Sequence, residues 1–97
     1  MDDAKIRILD DFSIEIRRED HTLMNPLKMA ISSNWTGSEV EFCGYNVPHP
    51  SDDLVHLSVQ FEDESVQGTA AVLQKIAEGL DSLEACCGHL LRQIESL

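Results

Sequence analysis

Three cysteines and four histidines supply this 97-residue chain with its metal-binding and nucleophilic side chains. Their spacing decides what they do. Cys43, Cys86, Cys87, His21, His49, His56 and His89 never fall at the two-residue interval of a zinc knuckle. Cys86 and Cys87 are adjacent, so on a helix they point about 100° apart. Cys87 lies on an apolar seam, where a thiol behaves as a small hydrophobe. Cys43 can be paired on paper with His21 or His49, but no acid and no oxyanion donor accompany the pair. The glycines stand singly, so a phosphate-cradling loop is missing. No metal, no cofactor and no catalytic residue is expected.

The elements that carry these residues follow from periodicity. Ile6, Ile8, Phe12, Ile14 and Ile16 occupy alternate positions, interrupted by Asp10-Asp11, which predicts a short hairpin. Thr22 is an expected helix N-cap, with Leu23, Leu27, Ala30 and Ile31 at helical spacing behind it. If Asn25 caps instead, Pro26 takes the first helical position. The helix is expected to stop within Ser32-Ser33-Asn34. Val40 to Tyr45 reads as a strand, and Asn46 to Asp53 as a loop. Val55, Leu57, Val59 and Phe61 alternate with polar residues, the clearest half-buried strand.

After Glu62-Asp63-Glu64, Ser65 is expected to cap one long helix. Leu73, Ile76, Leu80, Leu83, Cys87, Leu90, Ile94 and Leu97 fall at 3-4-3-4 spacing, an a/d seam. Those residues span about 36 Å at 1.5 Å per residue, while a strand of this length covers about 20 Å. The helix should overhang its sheet from roughly Leu83 to Leu97, exposing Leu90, Leu91 and Ile94 unless another chain covers them. The expected fold is α+β over one domain, residues 1–97. It is an antiparallel sheet of about four strands, with two helices on one face and a long C-terminal helix.

Charge narrows the function further. The formal net charge is -11, and residues 38–97 carry eleven acids against Lys75 and Arg92 alone. Phosphate backbones are bound by Lys and Arg, so direct nucleic-acid contact is not expected of this half. No apolar run is long enough for a membrane span. Met1-Asp2-Asp3-Ala4-Lys5 has no signal-peptide core, and the odd cysteine count fits a reducing compartment, so an intracellular chain is expected.

Two stretches are too particular for a generic small fold. Asp20-His21-Thr22-Leu23-Met24-Asn25-Pro26-Leu27 resembles the His-Thr-Leu-Gly-Asn motif of the RNA polymerase alpha-subunit superfamily. Phe42-Cys43-Gly44-Tyr45 with Pro48-His49-Pro50 resembles the second signature of its small alpha-like members. The Phe-Cys-Gly-Tyr wording is most similar to the form shared by RNA polymerases I and III. The polymerase II and archaeal forms, which more often carry Ala at the Cys43 position, are the alternatives.

The resemblance implies a non-catalytic subunit that heterodimerises with a larger alpha-like chain through helices of both. The pair then nucleates assembly of the large catalytic subunits in the nucleus, including the nucleolus. Carried onto this chain, the implied partner-facing residues are Leu23, Leu27 and Ile31 of the first helix. On the second they are Leu80, Leu83, Cys87, Leu90, Leu91 and Ile94. Two positions depart from the motif. Met24 replaces glycine and is expected to point outward or to fill space vacated by a partner, and Pro26 removes a backbone donor. A free-standing homodimeric adaptor and a small thiol- or zinc-dependent enzyme are the rivals from other classes.

Overall fold

The computed structural model describes residues 4–35 and 37–97. Its elements are β1 (Ile6–Ile8), β2 (Ser13–Arg17), α1 (His21–Ser32), β3 (Val40–Asn46), β4 (Leu54–Phe61) and α2 (Thr69–Glu95). The strands form one antiparallel sheet in the order β1-β2-β4-β3.

Alternation places the core. Ile14 stands opposite Leu57 and Ile16 opposite Val55, and Cys43 stands opposite Val59. These six residues form one cluster with Met24, Leu27 and Ile31 of α1 and Val72 and Ile76 of α2. Both helices therefore cover the same face, as the α+β reading expects. The opposite face is polar. The Ser13 and Ser58 hydroxyls are 2.7 Å apart, and Glu15 meets His56 at 3.2 Å, Arg17 at 3.6 Å and Arg7 at 3.8 Å. An antiparallel sheet tolerates one solvated face, and these partners explain how Glu15 lies buried on it.

The β1–β2 turn forms where Asp10 was expected to make it. The Phe12 N–H donates to Asp10 Oδ1 at 2.8 Å, an Asx turn. The start of α1 differs from expectation. Asp20, not Thr22 or Asn25, is the N-cap, and its carboxylate accepts from the Thr22 N–H at 2.8 Å. That bond also draws the Asp20 carboxyl below its usual pKa. Pro26 consequently lies inside the helix, where it has no N–H to give to the carbonyl of Thr22. The other end is as read. Ser33 caps the helix and Asn34 adopts φ 54°, the left-handed stop that Asn tolerates. Asn34 Oδ1 then accepts from the Val40 N–H at 2.7 Å, tying the helix end to the start of β3.

The second helix begins later than expected. Ser65 bonds Asp63 through both its N–H and its hydroxyl, so it closes a local turn and does not cap α2. Gly68, at φ 97°, is the N-cap. The conformation is one that L side chains rarely adopt.

Only the first half of α2 packs on its own domain. Its buried residues are Val72, Lys75, Ile76 and Gly79, and Leu83 is partly buried against the core. The radius of gyration is 14.6 Å, above the about 13 Å of a compact 100-residue domain. The overhang of α2 accounts for the excess length.

Candidate partner-binding surface

Two residues of the first stretch and one of the second form a clip. The Tyr45 hydroxyl, on β3, donates to Asn25 Oδ1 at 2.6 Å. The same hydroxyl is hydrogen-bonded to His21 Nδ1. Because the hydroxyl proton goes to Asn25, the imidazole donates from Nδ1. The His21 and Tyr45 rings also pack at a 5.3 Å centroid separation, tilted by 60°. The clip fastens the first two turns of α1 to the C-terminal end of the edge strand β3. His21, Tyr45 and Asn25 are therefore a structural joint. Replacing Tyr45 by Phe removes both bonds and should lower unfolding free energy by about 1–2 kcal/mol, read from the denaturant midpoint of the free chain.

The neighbouring residues have equally local tasks. Phe42 and Gly44 sit on the outer sheet face, and a Cβ at Gly44 would stand 2.7 Å from Phe42 Cζ. The ring thus lies over the glycine backbone, and a side chain there would displace the exposed Phe42 ring. Pro48, His49 and Pro50 form an exposed turn. There His49 Nδ1 accepts from the Ser51 N–H at 3.2 Å and lies 2.6 Å from the Ser51 hydroxyl.

Cys43 is buried in the core, where desolvation pushes its thiol up from 9.0 to about 11. The thiol is therefore protonated near neutrality and a poor nucleophile. Its folded pKa is raised above the unfolded one. The stability it contributes is present below about pH 9 and is lost as pH rises through about 11. Cys86 and Cys87 are exposed. Iodoacetamide at pH 8 should label those two and spare Cys43 until denaturant is added, a pattern read by peptide mass spectrometry. Among the described residues, no three His, Cys, Asp or Glu side chains converge to hold a metal ion.

The helices divide the expected partner-facing residues into two groups. Leu27 and Ile31 are each 1% exposed. They belong to the chain's own core and present no surface to a partner, which corrects the expectation for α1. Leu23 is half-buried against that core. Met24 is 0% exposed, so it neither points outward nor waits for a partner. It fills the α1–sheet layer of its own chain.

On α2 the inward-facing set is Val72, Ile76, Gly79 and Leu83. The expected seam member Leu73 stands at its flank, 38% exposed. Beyond Leu83 the same helical face carries Cys87, Leu90 and Ile94, all exposed, with Leu91 beside them, and the exposed Leu97 follows the helix end; Leu80, just before Leu83, is exposed on the flank. Gly79 was not singled out by periodicity. A Cβ there would meet Ile31 Cγ1 at 2.8 Å and Leu27 Cδ1 at 3.1 Å. It marks the close approach of α1 and α2.

The surface that remains is one helix face, buried at its start and bare at its end. Such a face suits protein pairing through helices. Residues 11–93 match the family described as the RNA polymerase Rpb3/Rpb11 dimerisation domain. The chain belongs to that family. Among similar Rpb3/Rpb11-type proteins is the DNA-directed RNA polymerases I and III subunit RPAC2 of Saccharomyces cerevisiae. It is 37% identical over 75 residues, which are 77% of this chain and 47% of that protein. The subunit of the same name from Schizosaccharomyces pombe is 39% identical over 79 residues, 81% of this chain and 57% of that one. That from Danio rerio is 35% identical over 81 residues, 84% and 65% respectively. The chain thus spans about half to two thirds of the length of these relatives. Within this dimerisation-domain family match, the second half of α2 leaves an apolar face exposed.

Proposed function

We propose that this chain is the small alpha-like assembly subunit of RNA polymerases I and III, without catalytic residues of its own. Its 97 residues act as one dimerisation domain that pairs with a larger alpha-like subunit. The pair then receives the large catalytic subunits, in the nucleus and nucleolus. The observation that carries the reading is the continuity of the α2 stripe. Val72, Ile76, Gly79 and Leu83 bury it against the chain's own α1 and sheet. Leu90 and Ile94 continue it at 60% and 56% exposure.

A partner that covers this continuation must sit where the chain's own α1 and sheet end. That is the place a second helical layer of similar construction would occupy. The polymerase I and III names of the similar proteins, together with Phe42-Cys43-Gly44-Tyr45, favour this membership over polymerase II or an archaeal enzyme. Affinity purification from native extract tests it. The expected result is co-purification with a larger alpha-like chain and the large subunits of polymerases I and III, identified by mass spectrometry. Recovery with polymerase II subunits alone, or as a free homodimer, contradicts it.

A further inference from the structure

The open edge of β3 carries backbone groups that have no partner in this chain. In an antiparallel sheet a residue turns its N–H and C=O to the same side, and the side alternates along the strand. The Val59 N–H donates to the carbonyl of Phe12, just before β2, at 2.9 Å. Val59 therefore bonds toward β2. Cys43, opposite Val59 on β3, turns its own N–H and C=O away from the sheet. Tyr45, opposite Leu57, does the same. Outside the sheet ladder, no described residue bonds to either backbone. Cys43 is nevertheless only 6% exposed, and backbone groups so placed are rarely left unpaired.

The flanking parts of the edge are closed. The Asn34 amide accepts from the Val40 N–H at 2.7 Å and donates to the Val40 carbonyl at 3.5 Å, as a neighbouring strand would. A register shift between Val40 and Phe42 follows, a bulge of the kind that blunts an edge. At the other edge of the sheet, β1 has three residues, too short to template much pairing. The window from Cys43 to Tyr45 stays open. A groove of about 420 Å³ lies along it, bounded by Lys28 of α1 and by Phe42 and Asn46 of β3. Lys28 makes no ion pair among the described residues, and Met29 beside it is 70% exposed.

We infer that this window receives an extended segment of a large catalytic subunit as a fifth strand, with an acidic side chain of that segment on Lys28. Main-chain bonds to Cys43 and Tyr45 hold such a strand, and its alternate side chains meet Lys28 and Met29 on one side and Phe42 on the other. The inference rests on the polymerase subunit proposed above and adds a second interface to it. α1 packs on β3 and α2 packs beside α1, so the window lies on the side of α1 away from α2. A partner seated on the α2 overhang leaves it free, and the strand comes from a third chain.

The test starts from the full chain paired with the larger alpha-like subunit. Native chemical ligation at Cys43 installs an N-methyl group on the Tyr45 backbone nitrogen, which removes one outward donor and fills the groove. That N–H makes no bond within the chain, so the free protein should melt like the parent. Lys28→Glu, an exposed change, is made separately. The pair should form normally with either variant, while its affinity for the large catalytic subunits falls roughly tenfold or more. Unchanged affinity for those subunits with both variants overturns the fifth strand. Loss of the pair itself through N-methylation also overturns it, because the edge would then serve the larger alpha-like chain. Failure of the parent chain to pair with that subunit overturns the underlying reading instead.

Discussion

The expected result of Leu90→Asp is a free chain that stays folded but no longer forms the proposed pair with a larger alpha-like subunit. Leu90 is 60% exposed on the overhang, so a carboxylate there remains solvated in the free chain. Surface changes of this kind alter stability by about 0.5 kcal/mol or less. In the proposed pair the same carboxylate would enter an apolar seam without a counter-charge. An unpaired charge in such a place costs about 3–5 kcal/mol, on the order of a hundredfold or more in affinity. Size-exclusion chromatography of the co-expressed chains should show the pair lost and the variant's own melting curve unchanged. Leu27→Asp gives the contrasting result. Leu27 is a core residue at 1% exposure, so that change unfolds the chain itself and says nothing about the interface.

The second large effect concerns two glycines of α2 with opposite signs. Gly79→Val places a branched side chain at the helix crossing, where even a Cβ meets Ile31 Cγ1 at 2.8 Å and Leu27 Cδ1 at 3.1 Å. Both neighbours are buried in the core, so neither can swing into solvent. Overpacking of this kind costs about 1–3 kcal/mol, and the crossing here offers so little room that the upper end is expected. For a domain of this size, about 3 kcal/mol lowers Tm by roughly 12–24 °C. At Gly88 the nearest neighbour of an added Cβ is Arg92 Nη1, at 3.4 Å, the mobile tip of a long side chain. There Gly88→Ala gains about 0.8–1.0 kcal/mol of helix propensity and should raise Tm. Differential scanning calorimetry of the two variants reads both signs.

The sequence made the elements legible wherever a period ran without interruption. The alternation of Val55, Leu57 and Val59 located β4, and the hairpin turn was visible in Asp10-Asp11. The stop of α1 could be read from Asn34 because few residues other than Gly accept a left-handed conformation. Caps were harder to place. Asp20, Thr22 and Asn25 all have capping side chains, and only the three-dimensional path of the chain after Arg17 selects Asp20. Ser65 was a credible cap by type, but Asp63 two residues earlier captured both of its donors.

The division of α1 and α2 between core and partner was only half legible. Heptad spacing locates a stripe, yet it does not say which residues the chain buries for itself. Leu27 and Ile31 proved internal because α1 lies flat on β3. Leu73 yielded its place to Val72 because α2 is rotated toward α1 at the glycine crossing. The clip of His21, Asn25 and Tyr45 joins residues twenty and more positions apart, and no local pattern encodes such a contact. The resemblance of both motifs to one family marked those residues as special, and the geometry supplied the physical reason.

The central claim is that the exposed end of α2 is where the larger alpha-like subunit binds. Hydrogen–deuterium exchange of this chain, alone and paired with that subunit, tests it most directly. Strong new protection of the peptides covering residues 84–95, with the β3–β4 peptides little changed, is the result this account predicts. A stable pair in which residues 84–95 exchange as fast as in the free chain would contradict it.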